Sequence, residues 1–332
     1  MKNLLASLPR HGLRLCGALC LLSASAHAAP LKIAYSDWPG WTAFAIASEK
    51  GWFKEAGVDV DLLWFEYGPS MDAYNAGKCD AVMVTNGDAL VTGATGTKNI
   101  MILVTDYSNG NDMVVAKPGI KSLKDLKGGK IGVEVGLVDH LLLLNGLKKA
   151  GLTEKDVTLV PTPTNQTPQV LASGQVDAIA AWQPNSGAAL KALAGSKAVY
   201  SSADEPGLIY DMVVVTPQSL AQHRADWVKF VSVWSRIVAY LSDPATKADG
   251  IKIMAARAGV DPAEYAAFMG GTRLLTTAEG AKVLAGKSEG FKSVYGSAKI
   301  ADEFNVKNAV YKEPQDVASY IDASLMAEAI KK

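Results

Sequence analysis

The residues best suited to bind a ligand are acids, amides and tryptophans that fall where strands are expected to end. The clearest group is Asp37, Trp38 and Trp41 in the stretch YSDWPGW, which separates a strand-like run from a helix-like run. At such junctions free backbone N–H groups and loop side chains point outward together, and ligands of α/β folds collect there. The same argument selects further candidates at later strand ends: Asn86, Asp88, Glu134, Asp139, His140, Trp182, Gln183, Asn185, Tyr210 and Asp211.

The chemistry of these loops favours a cationic or neutral ligand over an anion. An anion site would offer exposed N–H groups, hydroxyls and Arg or Lys side chains. The candidate loops contain no Arg or Lys, but they carry several carboxylates and indole rings. A small cation held between carboxylates and an indole face would fit, and such a cation–π contact contributes ~2 kcal/mol when it is desolvated.

The competing interpretation of the tryptophans is structural, because large aromatic side chains also fill cores. We expect Trp52 and Trp64 to lie in the core, since they belong to helix-like and strand-like runs. We expect Trp38, Trp41 and Trp182 to line a cleft, because aromatic walls with a few convergent polar groups are typical of small-molecule sites.

Two of the acids fit either interpretation. Asp88 and Asp139 both stand near the start of an expected helix, where the macrodipole favours a carboxylate. Whether they face a cleft or only stabilise a helix end stays open on the sequence alone.

No catalytic signature is present. The chain lacks a GxSxG elbow, a Walker loop, a Rossmann glycine triplet and an HExxH motif. Of the histidines beyond residue 28, His223 and His140 are better explained as surface or packing residues than as bases. We therefore expect a protein that is not an enzyme and that carries no cofactor and no metal.

The N-terminus has the pattern of a signal peptide. Positive charges precede the apolar run 15–22, and Ala26-His27-Ala28 fits a small-residue cleavage site. We expect residues 1–28 to be removed near Ala28 and the protein to be exported to a periplasm. Cleavage would remove Cys16 and Cys20 and leave Cys79 alone, which excludes an internal disulfide.

The bulk composition indicates a globular chain with one large or two medium domains. The 332 residues carry 33 Lys and Arg against 33 Asp and Glu, and 49% are hydrophobic. A chain without a basic excess is a poor candidate for binding nucleic acid, so we expect no such partner.

Two sequence echoes suggest two similar α/β lobes. AGKCDA at 76–81 matches SGQVDA at 173–178, and DMVV occurs at both 112–115 and 211–214. We expect the strands of Met113 and Met212 to cross between the lobes. The expected division is 29–112 for lobe 1, 113–212 for lobe 2, and 213–332 for the completion of lobe 1 with C-terminal helices, the last of them at 314–330.

Long stretches of the chain resemble the periplasmic solute-binding proteins of ABC importers, in the nitrate/sulfonate/taurine branch, which also includes relatives that bind or make thiamine pyrimidine precursors. The resemblance covers nearly the whole chain after residue 28. It is carried by KIAYSDWPGW, NAGKCDAVMVTNGDAL, SLKDLKGGKIGVEVGLVDHLLLLNGLKKAGL, VLASGQVDAIAAWQPN and ADEFNVKNAVYKEP.

This resemblance implies an α/β, two-lobe periplasmic binding protein type II fold with two crossover hinge strands. It also implies a monomer that captures a small-molecule solute in the cleft between its lobes and delivers it to an ABC permease in the inner membrane. Carried over residue by residue, the ligand-binding positions are Asp37, Trp38, Trp41, Asn86, Asp88, Glu134, Gly136, Asp139, Trp182 and Asp211.

One departure from the family pattern bears on the ligand. Sulfonate-binding relatives typically show a Gly-Ser or Gly-Thr pair where this chain has Gly136-Leu137. Together with the acidic loops, this favours a guanidine-, urea- or amine-like compound. The alternative is a sulfonate-, taurine- or nitrate-type anion binder. A more distant rival is a pyrimidine synthase of thiamine biosynthesis, but those enzymes carry a cysteine-rich iron motif that this chain lacks.

Overall fold

The computed structural model describes residues 29–331. The expected signal peptide, with Cys16 and Cys20, lies outside the described residues. Eleven strands occur in the described part of the chain. They are β1 Leu31–Tyr35, β2 Val60–Trp64, β3 Ala81–Thr85, β4 Ile100–Ser108, β5 Met113–Ala116, β6 Lys130–Val133, β7 Thr158–Pro161, β8 Ala178–Ala181, β9 Lys197–Ser201, β10 Tyr210–Val215 and β11 Thr272–Leu274.

The strands form two sheets. The first sheet has the order β11-β4-β10-β3-β1-β2, and the second has the order β7-β6-β8-β5-β9. The central strands β3 and β10 are buried at every position, whereas the edge strand β2 is only partly covered. Strands buried on both faces are expected to be apolar throughout, and AVMVT and YDMVVV fit this apart from one acid, Asp211.

Helices cover the sheets. The α-helices of residues 29–331 are α1 Pro39–Thr42, α2 Phe44–Glu49, α3 Trp52–Glu55, α4 Tyr67–Asn75, α5 Asn86–Thr95, α6 Val138–Lys149, α7 Thr167–Ala172, α8 Asn185–Ala192, α9 Pro217–Ser242, α10 Lys247–Ala258, α11 Pro262–Phe268, α12 Thr277–Ala285, α13 Val294–Lys307 and α14 Ser324–Ala329. None of these helices combines the length and the apolar character needed to cross a bilayer.

The expected crossover strands each lie within a single sheet, so that expectation was wrong in detail. Met113 belongs to β5, which pairs with β8 and β9, and Met212 belongs to β10, which pairs with β3 and β4. In the described residues, neither strand pairs with a strand of the other sheet. The chain instead passes between the sheets in segments 109–112 and 202–209, which precede these two strands.

The expected terminal helix at 314–330 is interrupted. A short 3-10 helix covers Val317–Tyr320, and α14 begins only at Ser324. Between them Ile321 makes a parallel β-bridge with Met101, which requires extended backbone. A tertiary contact with β4 therefore overrides the local helical pattern.

The longest helix supplies much of the core beside the first sheet. The apolar face of α9 is buried, and its Phe230 stacks on Phe44 at 5.0 Å and on Phe53 at 5.7 Å between ring centroids. These contacts fasten α9 to the helices that follow β1, so they also support the turn that carries Trp38 and Trp41.

Replacing Phe230 with Ala should lower the free energy of unfolding by about 3–5 kcal/mol, because it removes a fully buried ring and leaves a cavity. Urea denaturation monitored by circular dichroism would measure the loss. Ser235→Ala, at an exposed position of the same helix, should change the value by less than about 0.5 kcal/mol. Equal effects of the two substitutions would contradict this description of the core.

Candidate functional site

An aromatic cluster fills the space between the two sheets. Trp38 and Trp41 follow β1, Tyr67 begins α4, and Trp182 follows β8 of the second sheet. The centroid of Trp182 lies 6.2 Å from Trp38, 6.4 Å from Trp41 and 5.9 Å from Tyr67. All four side chains are at most 5% exposed. Three indoles and a phenol from both sheets thus meet at one place.

The turn after β1 positions two of these rings. Pro39 begins α1 directly after the sheet, and Trp38 has the extended backbone of a residue that precedes a helix. The Trp38 Nε1–H donates to Oδ1 of Asp106 at 2.9 Å. A Cβ at Gly40 would lie 1.7 Å from Oδ2 of Asp106, so only glycine allows this close approach.

Five buried carboxyl groups lie at the same junction. Each is at most 3% exposed, and the two sheets and their connections all contribute. They are Asp88 in α5, Asp106 in β4, Asp112 in the crossing segment 109–112, Asp139 in α6 and Asp211 in β10. We call this set the acidic cluster.

The hydrogen bonds of the acidic cluster are incomplete. Oδ2 of Asp88 accepts from the Tyr67 hydroxyl at 2.6 Å and from the Val138 N–H at 3.2 Å. In contrast, both oxygens of Asp139 and the Oδ2 atoms of Asp112 and Asp211 are buried without a hydrogen-bond donor. Buried polar groups are nearly always paired in native proteins. Four unpaired oxygens in one cluster therefore indicate a candidate position for the hydrogen-bond donors of a bound molecule.

Burial dominates the ionisation of the acidic cluster. Desolvation raises the pKa of Asp88 to about 7, although hydrogen bonds from Tyr67 and Thr85 oppose the shift. Burial also raises the pKa values of Asp139 and Asp211 well above the usual range, and neighbouring carboxylates raise them further. The shifts share one cause, because low dielectric and like charge both disfavour the ionised form.

No basic side chain neutralises this charge from within. Among residues 29–331, every fully buried ionisable side chain other than His140, Cys79 and the tyrosines is an acid, and none is Lys or Arg. In the same residues, no three His, Cys, Asp or Glu side chains are arranged to hold a metal ion.

Asp37 forms its side-chain hydrogen bond with a residue outside the acidic cluster. It is half-buried, and its Oδ1 accepts from Nε1 of Trp64 at 2.7 Å. Burial raises its pKa to about 6 despite this bond, and Glu66 adds to the shift. The expectation that Trp64 lies in the core was wrong: it is 42% exposed, since β2 is an edge strand. Trp52, by contrast, is buried as expected.

Three other sequence candidates make local structural bonds. Asn86 donates to the Ser297 hydroxyl at 2.9 Å and accepts from the Tyr210 N–H at 3.0 Å, so it joins α5, α13 and β10. Glu134 accepts from the Thr164 hydroxyl at 2.7 Å. Gly136 has a φ of +89° and donates its N–H to Nδ1 of His140.

The remaining sequence candidates also have structural explanations. His140 is buried, and burial lowers the pKa of its imidazole. The side-chain oxygen of Gln183 accepts a hydrogen bond from the N–H of Gly187. Asn185 begins α8, and the hydroxyl of Tyr210 donates to the Phe291 carbonyl. These bonds account for Gln183 and Tyr210 without a ligand.

The sequence did not select Tyr67, Asp106 or Asp112, yet all three belong to the site. Asp112 was visible in the DMVV echo, because it occupies the position that Asp211 holds in the second copy. Asp106 was not recognisable, since it becomes a neighbour of Asp211 only through the antiparallel pairing of β4 with β10. Asp88 and Asp139 both stand in the first turn of a helix and also belong to the acidic cluster.

The raised pKa of Asp88 predicts a specific pH dependence of stability. A folded-state carboxyl with a pKa of about 7, against an ordinary value near 4, contributes stability that is present below pH 4 and is lost as the pH rises through 7. Asp88→Asn mimics the protonated form and retains an oxygen for Tyr67 and Val138. The stability of the native chain relative to Asp88→Asn should therefore fall by up to about 4 kcal/mol between pH 4 and pH 8.

Urea denaturation of both proteins across this pH range would measure the difference. Asp302→Asn is the matched control: Asp302 is a buried acid outside the acidic cluster, bonded to Tyr311 and to the N–H of Gln315. Parallel stability curves for the native chain and Asp88→Asn would show that Asp88 is not protonated in the folded protein.

Known proteins share both sequence and fold with this chain. A family model described as NMT1/THI5 like matches residues 38–248. A Brucella abortus (strain 2308) protein named as a binding protein is 35% identical over 157 residues, which are 47% of this chain and 48% of that protein. This chain thus spans about half the length of the curated relatives that it matches.

Solved structures agree over a longer range. The periplasmic aliphatic sulphonate binding protein SsuA from Escherichia coli superposes with a TM-score of 0.71 at 20% identity, covering 89% of this chain and 92% of that one. The periplasmic nitrate-binding protein NrtA from Synechocystis PCC 6803 gives a TM-score of 0.71 at 13% identity, covering 91% and 88%. At such identities the likeness shows the fold alone, and it confirms the expected α/β periplasmic binding protein fold. Because the family match covers more than half of the sequence, the chain belongs to the NMT1/THI5-like family.

Proposed function

We propose that this protein is the exported solute-binding component of an ABC importer and that it captures a small cationic or neutral nitrogen compound between its two sheets. The solute would be guanidine-, urea- or amine-like, and the protein would act by binding, without catalysis. One observation carries the proposal: unpaired, buried carboxyl oxygens lie beside three tryptophans, with no buried Lys or Arg among residues 29–331.

Electrostatics favours a cation over an anion at this position. Removing a carboxylate from water costs several kcal/mol unless a positive or hydrogen-bonding partner replaces the water. A guanidinium or ammonium ion would supply both the charge and the N–H donors that Asp112, Asp139 and Asp211 lack. An anion would add repulsion, and no buried guanidinium or ammonium side chain of the described residues could offset it.

The indoles complete the site. Trp182 comes from the second sheet and packs edge-on against Trp38 and Trp41 from the first. An indole face attracts a desolvated cation by about 2 kcal/mol. A planar cation between ring faces and carboxylates would thus gain from both.

Ligand capture would couple the two sheets. We propose that residues 29–112 and 213–332 form one lobe, that 113–212 form the other, and that the segments 109–112 and 202–209 bend between them. A solute that contacts both lobes favours the closed form by its differential contacts. The bond from Val138 N–H on α6 to Asp88 on α5 is one that opening would break.

The proposed ligand-binding residues are taken from the sequence and extended by the structure. Asp37 and Glu134 would lie toward the rim of the site rather than within the acidic cluster. The full set is Asp37, Trp38, Trp41, Tyr67, Asn86, Asp88, Asp106, Asp112, Glu134, Gly136, Asp139, Trp182 and Asp211. The partner would be a permease in the inner membrane, and the exported protein would act as a periplasmic monomer.

A second candidate is an anion binder, and the names of the similar structures favour it. SsuA is named for sulphonate and NrtA for nitrate. An enzymatic role, the more distant rival from the sequence, has less support. The one cysteine of residues 29–331, Cys79, is buried, and burial raises the pKa of its thiol, so it is not an activated nucleophile.

Calorimetric titration of the purified protein should separate these candidates. We expect heat of binding with millimolar or lower guanidinium, methylammonium or urea, and none with taurine or nitrate at the same concentrations. The reverse pattern, with tight binding of taurine or nitrate and none of a cation or urea, would refute the nitrogen-compound proposal and support the anion binder.

Replacing Trp182 with Leu should weaken binding of the cation found in that titration by about 30-fold, the equivalent of ~2 kcal/mol, because the indole face is lost while apolar bulk remains. Trp52→Leu is the matched control, since Trp52 is equally buried but packs against Tyr240 instead. Unchanged affinity in Trp182→Leu, with both variants folded by circular dichroism, would remove Trp182 from the site.

A further inference from the structure

Two members of the acidic cluster face each other directly. Asp106 on β4 and Asp211 on β10 are cross-strand partners in an antiparallel pair, and such positions have Cβ atoms about 4.5–5.5 Å apart. Both side chains are buried, and two like charges this close in a region of low dielectric cannot both be ionised, so the pair shares one proton. A carboxylate can only accept, so a hydrogen bond between two carboxyl groups requires a proton on one of them.

The surroundings decide which carboxyl group carries this proton. Asp106 already accepts at both oxygens, from Nε1 of Trp38 at 2.9 Å and from Oγ1 of Thr105 at 2.7 Å. Oδ2 of Asp211 is buried and receives no hydrogen bond. Two donated hydrogen bonds stabilise the ionised form of Asp106, and their absence favours the protonated form of Asp211.

The other titratable groups around this pair cannot replace the proton. Asp112 from the crossing segment and Asp88 from α5 act on Asp211 as like charges. Tyr265 from α11 is buried near Asp106, and burial keeps its phenol neutral by raising its pKa. Like-charge repulsion also acts between Asp139 from α6 and the carboxylates of Asp112 and Asp88. Every neighbour is therefore an acid or a neutral phenol.

We propose that a cationic solute enters this site in exchange for the proton shared by Asp106 and Asp211. This rests on the proposed function and adds its regulation. Before binding, protonated Asp211 donates to the Asp106 carboxylate. After binding, both side chains are carboxylates that accept from the cation, and the proton has passed to the solvent. A neutral solute such as urea brings no charge and needs no exchange.

Proton exchange has a direct consequence for affinity. Because the proton and the cation compete for one position, each unit of pH below the ionisation of Asp211 should weaken cation binding about tenfold. An acidic medium would favour release of the solute, and a neutral one would favour its capture.

Calorimetry with guanidinium chloride or methylammonium chloride, whichever the native protein binds, tests this directly. Titration at pH 6.5 in two anionic buffers of different ionisation enthalpy, neither of them a sulfonate, gives the number of protons released. We expect about one proton per cation, and an affinity at least tenfold weaker at pH 5.5 than at pH 7.5.

The matched variants are Asp211→Asn and Asp302→Asn. An amide at position 211 can donate to Asp106 with no proton to give up, so proton release should fall to near zero and the affinity should change less than about threefold over the same pH range. Asp302→Asn, which lies outside the acidic cluster, should behave like the native protein.

The outcomes separate the two proposals. Cation binding without proton release in the native protein, at every pH from 5.5 to 7.5, would overturn the exchange and leave the proposed function standing. Proton release that persists unchanged in Asp211→Asn would also overturn it. Failure to bind any cation would overturn the exchange, and failure to bind urea as well would overturn both proposals.

Discussion

The cost of burying like charges is the constraint on which this structure depends. Five aspartates approach one another in a region that excludes water, and the described residues offer no buried basic side chain beside them. The protein meets part of this cost locally, through the hydrogen bonds that Trp38 and Thr105 donate to Asp106 and that Tyr67 donates to Asp88. Burial and the neighbouring like charges raise the pKa values of the acidic cluster, which favours the protonated form of these acids. This charge balance is the basis on which we propose a ligand that brings positive charge.

The sheet topology is what brings these acids together. Strand β10 returns to the first sheet about a hundred residues after β4 and inserts between β3 and β4. This insertion places Asp211 opposite both Asp106 and Thr85. Gly40 then allows the turn after β1 to pass against Asp106, so that Trp38 can donate to it. The core around Phe230 packs against the helices that follow this turn. The site is therefore built on packed elements rather than on free loops.

The sequence allowed the α/β class and many of the elements to be predicted, because they follow from local patterns. Strand β1 and the break at Pro39 are both local features. The gathering of Trp38, Trp41 and Trp182 followed from one rule, that strand ends of an α/β fold converge. The features that were missed depend on tertiary pairing. Asp106 sits inside an apolar strand, and the interruption of the last helix depends on a bridge between Ile321 and Met101.

The contacts of Asp37 also depend on tertiary structure. From the sequence alone, an acid between a strand and two tryptophans is the obvious ligand carboxylate. The edge position of β2 leaves Trp64 exposed beside Asp37, and the indole N–H of Trp64 donates a hydrogen bond to the carboxylate.

The repeated DMVV motif places two acids of the acidic cluster where the chain crosses between the sheets. Asp112 is the last residue before β5, where the chain enters the second sheet, and Asp211 lies at the start of β10, where it returns to the first. Each crossing between the sheets therefore delivers an acid to the junction. If the sheets move apart, Asp112 and Asp211 lie at the two connections, where displacement is least, whereas Asp139 on α6 and Trp182 after β8 move with the second sheet. Under the function proposed above, the acids at the crossings would contact the solute first, and the groups carried by the second sheet would reach it on closure. Under the function proposed above, the acidic cluster would then be the receptor of the cation, which replaces the proton between Asp106 and Asp211.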